Sequence, residues 1–305
     1  MTMRFDGRVA IVTGAGGGLG RAHALAFARL GAKVVVNDLG AALDGSGGSS
    51  DAARAVVEEI RAGGGEAVAN GSSVADRIGA QRLVADAIEA FGRVDILVNN
   101  AGILRDRTFA KMSLDDFAAV LDVHLEGAVH CTHAAWPHMR AQGYGRVVFT
   151  TSSSGLYGNF GQSNYGTAKM GLVGLMNVLR LEGAKDGIHV NAVAPIATTR
   201  MTEALFPEQI RDLFAPERVT PAVLFLAHER APNGRILSAG GGHFATARMV
   251  ETKGAHLGPA ATPEAIAAAW EEIADMTGAE PLESGPAQTQ KFALAAMTAK
   301  ARKEC

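Results

Sequence analysis

The sequence predicts an α/β fold, a Rossmann-type doubly wound parallel sheet of seven strands with helices on both faces, plus a C-terminal helical extension. Three observations predict it. Short β-branched runs recur along the chain and are apolar without alternation, as strands covered on both faces must be. Between them lie segments whose apolar residues repeat at helical spacing. The first run passes at once into a glycine-rich turn that opens a helical segment.

The strand candidates are VAIVT (9–13), KVVVN (33–37), EAVAN (66–70), DILVN (95–99), RVVFT (146–150), HVNAV (189–193) and RILSA (235–239). The clearest helix carries Ala80, Leu83, Val84, Ala87, Ile88 and Phe91 on one stripe. Another takes Ser50 as its N-cap, carries Val56, Val57 and Ile60, and stops at Gly63. SLDD (113–116) is a capping-box variant with Asp in place of Glu, and DGSGGSS (44–50) reads as a flexible loop. After Gly242 the strand pattern ends. A helix then takes Thr262 as N-cap and Pro263 in its first turn, with Ile266, Trp270 and Ile273 on one face. The chain therefore divides into a dinucleotide-binding core, 1–245, and an extension, 246–305, packed on the core or on a partner subunit. Leaving that apolar face in water would forgo about 1.5–3 kcal/mol per large side chain. The last residues, TAKARKEC, read as frayed.

Bulk properties exclude several classes. A net charge of −2 over 305 residues gives no basic surface for nucleic acid or an anionic membrane. The opening MTMRFDGRVAIVTG lacks the apolar run of a signal peptide, and no stretch is apolar for long enough to span a bilayer. The two cysteines, Cys131 and Cys305, lie too far apart in sequence to read as a disulfide framework, so a reducing, cytoplasmic setting is expected.

In TGAGGGLG (13–20), Gly14, Gly18 and Gly20 form a GxxxGxG pattern, with Leu19 inside it. Glycines permit a tight turn and close backbone approach, and the helix N-terminus that follows can receive a pyrophosphate. The second strand leads into Asp38, about 20 residues beyond the glycines, where a carboxylate bonds ribose hydroxyls. Asp38 would repel a 2′-phosphate, and no Arg or Lys stands in NDLGAA (37–42) to receive one, so the cofactor expected is NAD. NNAG (99–102) closes the fourth strand. Asn100, Ala101 and Gly102 would border the cofactor there, although Asn99 and Asn100 could equally cap loop backbone.

YGTAK (165–169) sets Tyr165 and Lys169 four residues apart, on one helix face. An ammonium beside a phenol favours the phenolate and would draw its pKa from about 10 toward neutrality, which makes a general acid/base. A surface tyrosine beside a solvated lysine fits the same spacing. TSSS (151–154) ends the fifth strand, with Ser152 placed to meet Tyr165.

TGAGGGLG, NNAG and S…YGTAK together resemble the short-chain dehydrogenase/reductase family over roughly residues 5–245. The resemblance implies that Tyr165 exchanges a proton with the substrate oxygen, that Lys169 lowers its pKa and holds the nicotinamide ribose, and that Ser152 orients the substrate oxygen. The chain departs from the family pattern at His124, where Asn usually supports a water relay to the lysine, and at Pro195-Ile196, where Pro-Gly is usual. Ile196 and Thr199 remain the expected nicotinamide contacts.

A narrower resemblance covers nearly the whole chain. NDLG, VHLEGA, AAWPHM, GLYGNFGQSNY and TPEAIAAAW are similar to the (3R)-hydroxyacyl-CoA dehydrogenase units of peroxisomal multifunctional β-oxidation enzymes, which also carry the His. It implies NAD-dependent oxidation of a (3R)-hydroxyacyl-CoA, fatty acyl or steroid side-chain. A 17β-hydroxysteroid dehydrogenase, a 3-oxoacyl reductase and a catalytically idle NAD-binding sensor are the alternatives. Tyr157, Asn159, Phe160 and Gln162, just before Tyr165, are candidate substrate contacts. HLEGAVHCTH (124–133) holds three His, a Glu and a Cys, but no recognised ligand spacing, and no metal is expected. The family's habit of packing this helix against its twin implies a homodimer or homotetramer.

Overall fold

The computed structural model describes residues 3–49, 51–203 and 206–304. Its strands are β1 (Val9–Thr13), β2 (Lys33–Asn37), β3 (Ala67–Asn70), β4 (Ile96–Asn99), β5 (Gly145–Thr150), β6 (Ile188–Pro195), β7 (Ile236–Gly240) and β8 (His243–Ala247). They form one sheet in the order β3-β2-β1-β4-β5-β6-β7-β8, and the first seven pair in parallel. Seven expected strands are in place. The eighth corrects the expectation that strand pattern ends at Gly242. β8 has a mostly exposed, weakly apolar sequence, so no hydrophobic run announces it. Gly241 and Gly242 turn the chain into it with φ of 58° and 81°, the left-handed pair that a two-residue hairpin requires.

The helices lie on both faces. α1 (Gly18–Arg29), α2 (Asp51–Ala62) and α8 (Thr220–Ala227) pack together on one. The other carries α3 (Arg77–Phe91), α4 (Leu114–Leu121), α5 (Gly127–Gln142) and α7 (Ser163–Glu182), with the short α6 (Ser153–Tyr157) against α7. Phe5, Phe27, Val56, Ile60 and Leu226 fill the first layer against Val12, Val34 and Val36 of the sheet. α3 shows why such helices begin and end where they do. The Asp76 carboxylate accepts from the N–H of Ile78 and Gly79 at 3.1 and 3.0 Å, and Gly92 stops the helix with φ 78°. Ser113 caps α4 as SLDD implied, accepting from Asp116 N at 3.0 Å, while the Asp116 carboxylate pairs with Arg105 instead of reaching back. Ser50, expected as the N-cap of α2, lies outside the described residues. Between α4 and α5, Asp122–Glu126 form one π-helical turn with His124 inside it.

Contacts divide the chain into residues 1–246 and 247–305. In the second unit Thr262 caps α9 (Pro263–Ala268), accepting from Ala265 N at 3.2 Å. The helix breaks at Ala269 before α10 (Trp270–Ala274), and Ile266 and Trp270 are 46% and 58% exposed. α11 (Gly285–Glu304) runs through the last described residues; Cys305 lies outside them. Among the described residues, no helix is long and apolar enough to cross a membrane.

Candidate active site

The sheet order reverses between β1 and β4, and such a reversal opens a crevice at the carboxyl ends of the strands. A cleft of about 880 Å³ lies there. Gly14, Gly18 and Leu19 line it beside Gly17, the N-cap of α1, where no side chain caps the helix and no acid occupies the first turn. The glycines are there because nothing larger fits. A Cβ on Gly14 would stand 2.8 Å from the Ala101 Cα, and one on Gly20 would stand 2.2 Å from the Gly14 carbonyl oxygen. Gly20 lies beneath the turn and does not line the cleft itself.

The Asp38 carboxylate accepts from Gly16 N and Gly40 N, each at 2.7 Å, so it fastens the glycine turn as well as facing the cleft. Asn100 is structural in the way the capping alternative described. Its amide donates to the carbonyls of Thr13 (2.9 Å) and Gly14 (3.2 Å), while the Thr13 hydroxyl accepts from Asn100 N and Ala101 N. Thr13, at the carboxyl end of β1, escaped sequence reasoning. A small hydroxyl just before a glycine turn is the only signal it gives.

β5 ends at Thr150, and Ser152 caps α6, its hydroxyl accepting from Ser154 N at 3.1 Å. α7 brings Tyr165 to the same wall, where its phenol faces the Ser152 side chain. Lys169, one turn on, is buried. Its ammonium donates to the Thr150 carbonyl at 2.5 Å and stands 5.4 Å from the Tyr165 ring centre. Ser152, Tyr165 and Lys169 are therefore together at the cleft. Their electrostatics differ from the simple expectation. Part of the Tyr165 ring is exposed, yet desolvation is the largest influence on its phenol and pushes it above its ordinary value; the Ser152 side chain opposes this. Burial also brings the Lys169 ammonium down to about 7. The reason is depth: a lysine buried to this extent holds its own charge poorly and has less of it to lend to the phenol.

His124 is buried with its ring edge-on to Tyr165, centres 5.1 Å apart. Its Nε2 lies 3.0 Å from Ile103 N and 2.8 Å from Ile103 O, and its Nδ1 has no protein partner. Burial, then the Lys169 charge, holds its pKa well below the usual imidazole value, so the ring is neutral. A cavity of about 10 Å³, water-sized, separates His124 from Lys169, Thr13 and Asn99. Gly102 exists for this ring, since a Cβ there would stand 2.2 Å from His124 Cε1.

Residues 8–210 match the short chain dehydrogenase family. The chain belongs to the short-chain dehydrogenases. This dehydrogenase is 53% identical over 90% of its length to a Mycobacterium tuberculosis protein named as a short-chain type dehydrogenase/reductase, and covers 96% of that protein. It is 50% identical over 91% of its length to the mouse peroxisomal multifunctional enzyme type 2, of which it spans 38%. Among solved structures, a 7α-hydroxysteroid dehydrogenase complexed with NADH and 7-oxo glycochenodeoxycholic acid aligns with a TM-score of 0.71 at 32% identity, covering 78% of this chain and 95% of that one. The dehydrogenase is an oxidoreductase of a family that uses NAD(P) and acts on small molecules. The glycine cradle, the uncapped α1 N-terminus and the Asp38 carboxylate fit such a dinucleotide.

Of the substrate candidates, Asn159, Phe160 and Gln162 line the cleft. Tyr157 does not. It sits at the end of α6 and is 74% exposed. Ile196 and Thr199 line the cleft, with Ile196 N tied to the Ala239 carbonyl at 2.8 Å. Among the described residues, no group of three or more His, Cys, Asp or Glu could hold a metal ion. Cys131 is buried and its thiol is pushed up to about 12.

Proposed function

We propose that this dehydrogenase interconverts (3R)-hydroxyacyl-CoA and 3-ketoacyl-CoA, fatty acyl or steroid side-chain, with NAD. The observation that carries the reaction is the convergence of Ser152, Tyr165 and Lys169 on one wall of a cleft that Asp38 also faces. When bound, the nicotinamide supplies the hydride acceptor. In the oxidative direction the ionised Tyr165 oxygen takes the alcohol proton as the substrate carbon becomes a ketone, and in the reverse direction the phenol gives that proton to the carbonyl oxygen. Ser152 holds the substrate oxygen against Tyr165, and Lys169 positions the ribose. Gly14, Gly18, Leu19, Asn100, Ala101, Gly102, Ile196 and Thr199 form the dinucleotide's walls, with Gly20 closing the turn from beneath. The likeness to the multifunctional enzymes supports the acyl-CoA substrate. The likeness to a hydroxysteroid dehydrogenase supports a second reading, a free hydroxysteroid. A panel of 3R and 3S hydroxyacyl-CoA and 17β-hydroxysteroids with NAD, followed by NADH absorbance, is expected to give the highest kcat/KM with a 3R thioester. A higher value with a steroid would favour the second reading.

Asp38 supports NAD over NADP by charge. Asp38→Ala combined with Leu39→Arg is expected to move the kcat/KM ratio toward NADP by removing repulsion and adding a phosphate partner. Faster turnover of NADP by the unaltered protein would refute this. Because Asp38 also fastens Gly16 and Gly40, the double variant is expected to lose some stability, which a thermal melt reads separately.

His124 supports Lys169 through a water in the small cavity, its Nδ1 meeting that water while Nε2 holds Ile103. An Asn amide reaches the Nδ1 position, so His124→Asn is expected to keep most activity and His124→Ala to lose considerably more. Equal losses would assign the ring to packing alone. The exposed Trp270, Phe292, Leu294 and Met297 of the second unit support a homodimer or homotetramer, and the free, buried Cys131 supports a cytoplasmic protein.

A further inference from the structure

Asn164 immediately precedes the proton-transfer tyrosine and is fully buried. Buried amides must spend their hydrogen bonds inside the protein, so where this one sends them is informative. Its carbonyl oxygen accepts from Tyr165 N at 2.7 Å, one of the unpaired donors of the first turn of α7. Its amide donates to the Arg105 carbonyl at 2.9 Å and, more weakly, to the Asp116 carbonyl at 3.5 Å. Arg105 in turn holds a third element. Its Nε donates to the Asp44 carbonyl at 2.9 Å, and its Nη1 meets the Asp116 carboxylate at 3.0 Å. One residue earlier, Leu104 N donates to the Leu43 carbonyl at 3.0 Å.

Segment 39–49 follows Asp38 directly, and Leu43 and Gly45 line the dinucleotide end of the cleft. The 103–105 strip lines the same cleft, fastened to that segment on one side and to the start of the catalytic helix on the other. A continuous series of hydrogen bonds thus runs from the adenosine-side loop through Arg105 and Asn164 to the backbone of Tyr165. We propose that Asn164 and Arg105 are positioning residues that couple occupation of the dinucleotide site to the placement of the Tyr165 phenol. The inference rests on the dinucleotide reading of the cleft and is independent of which alcohol is the substrate. In it, ordering of segment 39–49 around the cofactor fixes the 103–105 strip, and Asn164 passes that constraint to the first turn of α7. By linkage, whatever Tyr165 gains in order from the cofactor, the cofactor gains in affinity from that turn.

A helix cap and a coupling residue make different demands on Asn164. A cap needs only the acceptor, and an isosteric carboxylate at a helix N-terminus would serve at least as well. Coupling needs the donor to Arg105. The test is amide hydrogen exchange by mass spectrometry on the full chain, with and without NADH, reading peptides over 14–20 and 163–167, with kcat measured alongside. In the unaltered protein NADH is expected to slow exchange in both peptides. Asn164→Asp is expected to keep the slowing at 14–20, lose it at 163–167, and lower kcat about tenfold, the scale of losing a buried amide donor. Arg105→Ala removes the side-chain tie to the Asp44 carbonyl at a half-exposed position, and leaves its own carbonyl and the backbone bond from Leu104 to Leu43 in place. It keeps the test decisive if the buried carboxylate prevents folding, and the same selective loss is expected. NADH protection of 163–167 persisting at wild-type level in Arg105→Ala would overturn the coupling. So would an Asn164→Asp variant with unchanged kcat and protection, which would leave a helix cap. Failure of NADH to protect 14–20 in the unaltered protein would overturn the dinucleotide reading itself, and this inference with it.

Discussion

Tyr165→Phe is expected to lower turnover by about 10²–10⁴-fold, the range a positioned proton-transfer group contributes, while leaving NADH affinity nearly unchanged. The substitution removes one oxygen. The ring stays against His124, the backbone N–H stays on Asn164, and α7 keeps its seat, so nothing that shapes the dinucleotide cleft is disturbed. What is lost is the atom that carries the proton and faces Ser152. Stopped-flow or steady-state rates with an active substrate, together with NADH fluorescence titration, separate the two effects. A variant that keeps more than about a hundredth of the rate would remove Tyr165 from the acid/base role. One that loses NADH affinity to the same extent would make the phenol a cofactor ligand first.

The features legible in the sequence were those written as local periodicity or as a fixed motif. Seven parallel strands, buried on both faces, announce themselves as unbroken β-branched runs, and α3 announces itself by its stripe. β8 does not, because His243–Ala247 has little apolar character and its pairing is dictated by a glycine turn. The site shows the same division. The spacing of Tyr165 and Lys169 places both on one helix face, but depth is a tertiary property. The sequence cannot say that Lys169 is buried enough to fall to about 7, or that desolvation is the largest influence on the phenol. Arg105, Asn164 and Thr13 act through contacts 59 and 87 residues away in sequence, which no local pattern encodes.

Gly20→Ala is expected to damage both folding and cofactor binding, through a clash that cannot be relieved cheaply. The added methyl would stand 2.2 Å from the Gly14 carbonyl oxygen, 2.8 Å from the Ala15 Cα and 2.7 Å from the Asn100 amide nitrogen. None of these can step aside alone. Gly14 is held in the left-handed region at φ 63° with its own Cβ position blocked by Ala101, and the Asn100 amide is bonded to the Thr13 and Gly14 carbonyls. Relief therefore means withdrawing the first turn of α1 from the glycine turn, an overpacking strain of about 1–3 kcal/mol or more. The same withdrawal moves the helix N-terminus away from where a pyrophosphate would sit, so NADH affinity is expected to fall at least about tenfold, the equivalent of roughly 1.4 kcal/mol of lost contact. Gly17→Ala is the control for stability. Its backbone is extended at φ −165°, open to any residue, and a Cβ there meets nothing within 4 Å, so its melting temperature is expected to match the unaltered protein. Thermal melts and NADH titrations of the two variants side by side decide the matter. If Gly20→Ala melts and binds NADH as the unaltered protein does, the turn is loose enough to admit a side chain, and close backbone packing is not what sets the cradle.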